Sequence, residues 1–201
     1  MNLLAHLQLS RGCDPAVLTG NVLADYIMRF RSFDDLPTAL QKDLWPGIFL
    51  HREIDAFTDR HDVVARARDL ISPERRRLAG VIVDIAFDLY LTRHWEMVCP
   101  GEDRETTISR GYATLSMVAA TGMSEKTQRL IARMRADDWF AGYGTRKGMA
   151  KTFTSMSRRV PKVAAALAGA ESEVDANDEA FSELFLEFYP QLQEFVDQSC
   201  V

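Results

Sequence analysis

Cysteine is scarce in this chain. The three present among 201 residues, Cys13, Cys99 and Cys200, are widely separated. They fit neither a paired disulfide framework nor a zinc-ligand spacing, so a reducing compartment, the cytoplasm, is the expected location. The opening Met1-Asn-Leu-Leu-Ala-His6 carries no basic leader, and no signal peptide is expected. No uninterrupted apolar run approaches the length of a membrane span, so no membrane partner is expected. Strand-like alternation and Asn-Gly or Asp-Gly hairpin signals are missing. A Gly-rich phosphate loop, a GxSxG elbow and a Cys-His nucleophile pattern are missing as well. Excess positive charge is lacking too: the formal net charge is -5 and the pI is near 5.4, which argues against bulk nucleic-acid binding.

What remains reads as helix throughout. With 47% hydrophobic residues the chain can bury a real core. No repeat, low-complexity tract or linker divides it, so residues 1–201 are expected to form one all-α domain, a helical bundle. Asp14-Pro15 opens a helix running to about Phe30, with the acid as cap and proline at the first helical position. Trp45-Pro46-Gly47 marks a turn or kink before a helix bearing His51. Ser72 is a natural N-cap for a helix that could reach Trp95, ahead of the breaker Cys99-Pro100-Gly101. Further helices are expected near 104–120, 124–138, 139–159 and 176–198, with a short one at 164–170. Leu184, Phe185, Phe188, Leu192, Phe195 and Val196 give the last long helix an apolar face.

The chemistry concentrates in the first half, which holds all four histidines: His6, His51, His61 and His94. Asp84 and Asp88 stand four residues apart within an almost wholly apolar segment, Leu78 to Leu91, which reads as a buried helix. Buried carboxylates on one stripe require something positive opposite them: a metal ion, an arginine, or a shared proton. His51 and Asp55 repeat the four-residue interval, as do Asn21 and Asp25, and Asp59 follows Asp55 by one more turn; Asp25 follows the apolar Leu23-Ala24 and is expected in the interior. His6 ends an apolar run and could point inward. His61 lies in a polar stretch and is expected to be exposed, and His94 falls about 80° off the Asp84 face of its helix. A shared metal site is the simplest account of these spacings. Imidazole and carboxylate without thiolate suit manganese, iron, magnesium or zinc. Arg52 or the run Arg75-Arg76-Arg77 could instead pair with the acids. That run also offers a basic surface beside the Asp84 helix.

At these residues the sequence resembles the acyl carrier protein phosphodiesterases. The matching pieces are Met1 to Leu7, Gly20-Asn21-Val-Leu-Ala-Asp25, Leu50-His51-Arg52 through Thr58-Asp59, Val83-Asp84 through Asp88, and His94-Trp95. Gly142-Tyr143, Ser157-Arg158-Arg159 and Phe185 to Pro190 continue the pattern. The resemblance implies an HD-phosphohydrolase-like helical fold with manganese dependence. It implies hydrolysis of the bond joining 4′-phosphopantetheine to a serine of holo-acyl carrier protein. By position, His6, Asp25, His51, Asp55 and Asp84 would form the metal neighbourhood. Asn21, Arg52, Asp59, Asp88 and His94 would surround it, with Asp25, Asp88 or His94 moving protons. Apart from the resemblance, the basic run Arg75-Arg76-Arg77 is expected to meet such an acidic partner, since the net charge of this chain is itself negative. Two positions depart from the family pattern: Gln8 and Leu89 stand where histidines are usual. They leave open a phosphohydrolase acting on a nucleotide or other small phosphodiester, and a carrier-binding protein whose site has decayed.

Overall fold

In a computed structural model of the chain, residues 1–29, 33–159 and 167–199 are described. The first strong helix starts where the sequence places it, with Pro15 leading α2 (Pro15–Arg29) and the Asp14 carbonyl accepting the Leu18 N–H at 2.9 Å. A short α1 (Leu3–Leu9) precedes it, and α3 (Thr38–Arg60) and α4 (Asp62–Asp69) follow. A 3₁₀ turn (Pro73–Leu78) leads into α5 (Ala79–Arg93) and the short α6 (Trp95–Val98). The second half comprises α7 (Arg104–Ala119), α8 (Glu125–Ala136), α9 (Trp139–Tyr143), α10 (Arg146–Arg159), α11 (Ala170–Ala176) and α12 (Asp178–Ser199). No strand occurs among the described residues, so the fold is all-α. One continuous core runs from Met1 to Val196, and no described helix is long and apolar enough to cross a membrane. The end of α2 at Phe30 and residues 164–166 of the expected short helix lie outside the described residues.

Trp45-Pro46-Gly47 does not interrupt α3; Pro46 lies inside a continuous helix. Proline in a helix interior costs about 3 kcal/mol, and the structure shows what the segment gains. A Cβ added to Gly47 would sit 2.0 Å from the Val17 carbonyl oxygen, and one added to Gly20 would sit 2.3 Å from that of Leu44. The two glycines therefore let the backbones of α2 and α3 touch. Gly47 serves close helix packing rather than a turn.

Ser72 is not the helix cap expected of it. Its hydroxyl donates to Glu173 Oε1 at 2.8 Å and its N–H to Glu173 Oε2 at 2.8 Å, across to α11. With its cap diverted, Pro73–Leu78 winds as a 3₁₀ turn and the buried helix begins only at Ala79. The expected helix at 139–159 is divided around Gly144, where a Cβ would meet Thr92 Oγ1 at 2.1 Å. Along α12, Phe181, Phe185, Phe188, Leu192 and Val196 are buried, while Leu184 and Phe195 are partly so. Each such phenyl ring stabilises the fold by roughly 1.5–3 kcal/mol. This face packs on α5, with Phe87 and Phe185 edge to face at 5.6 Å.

Candidate metal centre

The touching backbones of α2 and α3 place Asn21 between two histidines. Asn21 Oδ1 accepts the Nδ1–H of His6 at 3.0 Å, while its Nδ2 donates to the His6 carbonyl at 2.9 Å. The Asn21 backbone carbonyl accepts the Nδ1–H of His51 at 2.8 Å. A carbonyl can only accept, so both rings commit their Nδ1 as donor. In each neutral imidazole the Nε2 then carries a lone pair. The rings stack with centroids 4.0 Å apart.

Both Nε2 atoms converge on Asp55, His6 Nε2 at 3.4 Å from Oδ1 and His51 Nε2 at 3.3 Å from Oδ2. The donor atoms of His6, His51 and Asp55 all lie within 4.8 Å of one another. His6 Nε2, His51 Nε2 and Asp55 Oδ1 are buried without a hydrogen-bond partner. Three orphaned donors aimed at one point are costly unless a cation or proton joins them. Two imidazole nitrogens and a carboxylate, each histidine held by a carbonyl oxygen through its other nitrogen, fit a divalent metal.

The electrostatics agree. Burial and the neighbouring His51 hold His6 below the usual histidine range. Burial also opposes charge on His51, but Asp25 and Asp55 outweigh it and hold that ring above its usual range. A proton and a metal thus compete for the same His51 nitrogen. Burial raises Asp55, yet His6, the Met1 amine and His51 prevail and keep it well below the usual carboxylate range.

Asp25 stands at the mouth, its Oδ1 3.6 Å from His51 Nε2 and its side chain 86% exposed, not interior as its apolar neighbours suggest. The neighbouring His51 ring holds its carboxyl below the usual range. Asp84 is 32% exposed and faces the Met1 amine at 3.0 Å, with the same amine 3.5 Å from Asp55. Asp88 is fully buried and accepts the N–H groups of Leu4 at 3.0 Å and Ala5 at 3.3 Å. The positive counterpart of the α5 acids is thus the amino end of α1, rather than an arginine. Its free N–H groups suit carboxylates. Burial still pushes Asp88 up to about 7.

Other candidates lie in different contacts. His94 Nε2 meets Ser182 Oγ at 2.6 Å, and burial followed by Arg93 lowers its pKa. Asp59 is exposed and pairs with Arg68 at 2.5 Å. Arg75 is tied to Glu173 and donates to the Ala168 carbonyl at 2.8 Å. Arg76 pairs with Asp69 at 2.5 Å, and Arg77 is exposed. Arg52 is exposed, its guanidinium 5.6 Å over the Trp45 ring. His61, expected in solvent, is half-buried: its Nδ1 accepts the Val63 N–H at 3.2 Å, and its ring packs on Phe57 and Phe188. It caps α4, which its polar neighbours in sequence conceal. The Met1 amine and the paired Gly20 and Gly47 had no reading as site-forming groups. The glycine pair was the available signal.

A family model described as acyl carrier protein phosphodiesterase matches residues 1–192. The chain belongs to the acyl carrier protein phosphodiesterase family. Members of that name from Pectobacterium atrosepticum and Photorhabdus laumondii are similar to it at 31% and 30% identity, over 96% of this chain and 96% and 94% of theirs. One from Yersinia pestis is 30% identical over 96% of this chain and 95% of its own length. No solved structure matches. The family is one of hydrolases acting on phosphodiester bonds, and the whole His6–His51–Asp55 cluster lies inside its matched span.

Proposed function

We propose that the chain is a cytoplasmic, HD-like, metal-dependent phosphodiesterase that hydrolyses holo-acyl carrier protein to apo-carrier protein and 4′-phosphopantetheine. The observation that carries this reading is the convergence of two partnerless imidazole nitrogens on the Asp55 carboxylate. His6, His51 and Asp55 would hold the ion, with Asp25 at its edge and Asp84 behind the Met1 amine. Manganese is the preferred metal, with magnesium, iron and zinc compatible with the same donors. A bound divalent ion supplies Lewis acidity toward a phosphoryl oxygen and toward the attacking water.

The chain's own groups do the rest. Asp25, exposed at the edge of the donor set, accepts the proton of the water that attacks phosphorus. The phosphorus–oxygen bond to the carrier serine then breaks, and the serine oxygen takes its proton from solvent water at the open rim. Asp88 works at a distance by fixing the N–H groups of Leu4 and Ala5, and with them the turn that presents His6. His94, bonded to Ser182, holds α5 against α12.

Neither family departure removes a donor of the cluster. Gln8 Oε1 accepts the Tyr189 hydroxyl at 2.7 Å, inside the contact of α1 with α12, and Leu89 is buried in the core. That favours the carrier-protein reaction over a decayed site. Purified protein with manganese should convert holo- to apo-carrier protein, read by intact-protein mass spectrometry. Absence of conversion with manganese, magnesium, iron and zinc, while the Pectobacterium atrosepticum relative works in parallel, would contradict it.

A further inference from the structure

A phosphodiester bonded directly to a carrier serine cannot reach a buried donor set unless the carrier's own surface meets the rim of the site. The rim is where the cluster reaches solvent, at Asp25 and at Asp55, whose side chain is 42% exposed. Large apolar side chains stand open on the two helices that carry these acids. Met28 lies one turn beyond Asp25 on α2, while on α3 Trp45, Phe49 (55% exposed) and Arg52, at i, i+4 and i+7, share one stripe, and Asp55 follows Arg52 by one turn. Trp45, 43% exposed, packs against Phe33 and lies beneath the guanidinium of Arg52, the residue that follows His51. Three of the five exposed large hydrophobic residues among the described residues thus lie on α2 and α3, the two helices that carry Asp25 and Asp55; the other two are Met97 and Met117.

We propose that Met28, Trp45, Phe49 and Arg52 form the face on which the serine-bearing surface of holo-acyl carrier protein docks. This rests on the carrier-protein reading above. Tryptophan, phenylalanine, methionine and arginine are the side chains enriched at the centre of protein interfaces. Arg66, Arg75 and Arg76 pair with Glu187, Glu173 and Asp69, whereas Arg52 has no carboxylate partner among the described residues. Its charge is held in place by the Trp45 ring and stays available to an acidic group on the partner. The run at Arg75 to Arg77 is therefore the weaker docking candidate, because its first two members are already neutralised within the chain.

The test is binding of a fluorescently labelled bacterial holo-acyl carrier protein, read by anisotropy at low salt, so that it does not depend on turnover. The double variant Trp45→Ser, Phe49→Glu should weaken binding about tenfold or more, and Arg52→Glu should slow association with a reduced dependence on salt. Met117→Glu, elsewhere on the surface, should bind as the parent does. Thermal melting and manganese titration identify any variant that has lost its fold, and for such a variant Phe49→Ser alone replaces it. Equal affinity of parent and folded variants, or no binding by the parent, overturns this docking face. Binding without conversion to apo-carrier protein would instead contradict only the proposed reaction.

Discussion

The backbone carbonyl of Asn21 accepts the Nδ1–H of His51 at 2.8 Å, while the Asn21 side chain does the same for His6. One residue therefore fixes the tautomer of both imidazoles. The side-chain half can be removed by mutation and the backbone half cannot. Asn21→Leu should leave His6 Nδ1 buried and unpaired, weakening manganese binding about 10–100-fold and destabilising the fold by about 1–3 kcal/mol. Isothermal titration and urea denaturation measure the two effects. Unchanged metal affinity would show that His6 needs no orienting partner.

The glycine crossing gives a second prediction. Gly20→Ala or Gly47→Ala drives a methyl into the opposing backbone, and α2 and α3 must separate. Stability should fall by about 1–3 kcal/mol, and metal affinity should fall with it because Asn21 moves away from His51. Gly142→Ala, where a Cβ meets nothing within 4 Å, should be neutral or slightly stabilising. Equal melting temperatures for all three variants would remove the crossing as a determinant of the site.

The sequence showed the helices and the heart of the cluster because both follow from local spacing. His51 and Asp55, four residues apart on α3, do face one point, and His6 does point inward from its apolar run. What spacing could not show was the counterpart of Asp84 and Asp88. The amino end of α1 supplies it across 83 to 84 positions of sequence. Pro46 and Gly47 looked like a break because a close helix crossing and a turn use the same residues. Asp25 looked interior from its neighbours Leu23 and Ala24, which are buried, but its own side chain leaves the helix on the open side. Asp59, His61 and His94 found partners in Arg68, Val63 and Ser182 that no periodicity marks.

Asp88 should leave a signature in the pH dependence of stability. Burial raises its folded value to about 7 from an ordinary 3.8, against the opposing pull of the Leu4 N–H, the Met1 amine and the Ala5 N–H. The folded chain therefore holds this proton more tightly than the unfolded chain. Its stabilising contribution is complete below the unfolded value and is lost as pH rises through the folded one. In chelator-treated protein, Asp88→Asn should match the parent near pH 4 and gain on it up to pH 8, by denaturant midpoint. A constant difference between the two across that range would show that Asp88 ionises as an ordinary carboxylate.

The central claim is that His6, His51 and Asp55 bind the ion. Crystals grown with manganese and measured at its absorption edge locate the metal directly by anomalous scattering. The account predicts a peak in contact with His6 Nε2, His51 Nε2 and an Asp55 carboxylate oxygen, and its loss in Asp55→Ala crystals. A fully loaded, active protein whose metal peak lies elsewhere, with both Nε2 atoms outside coordination distance, would contradict it.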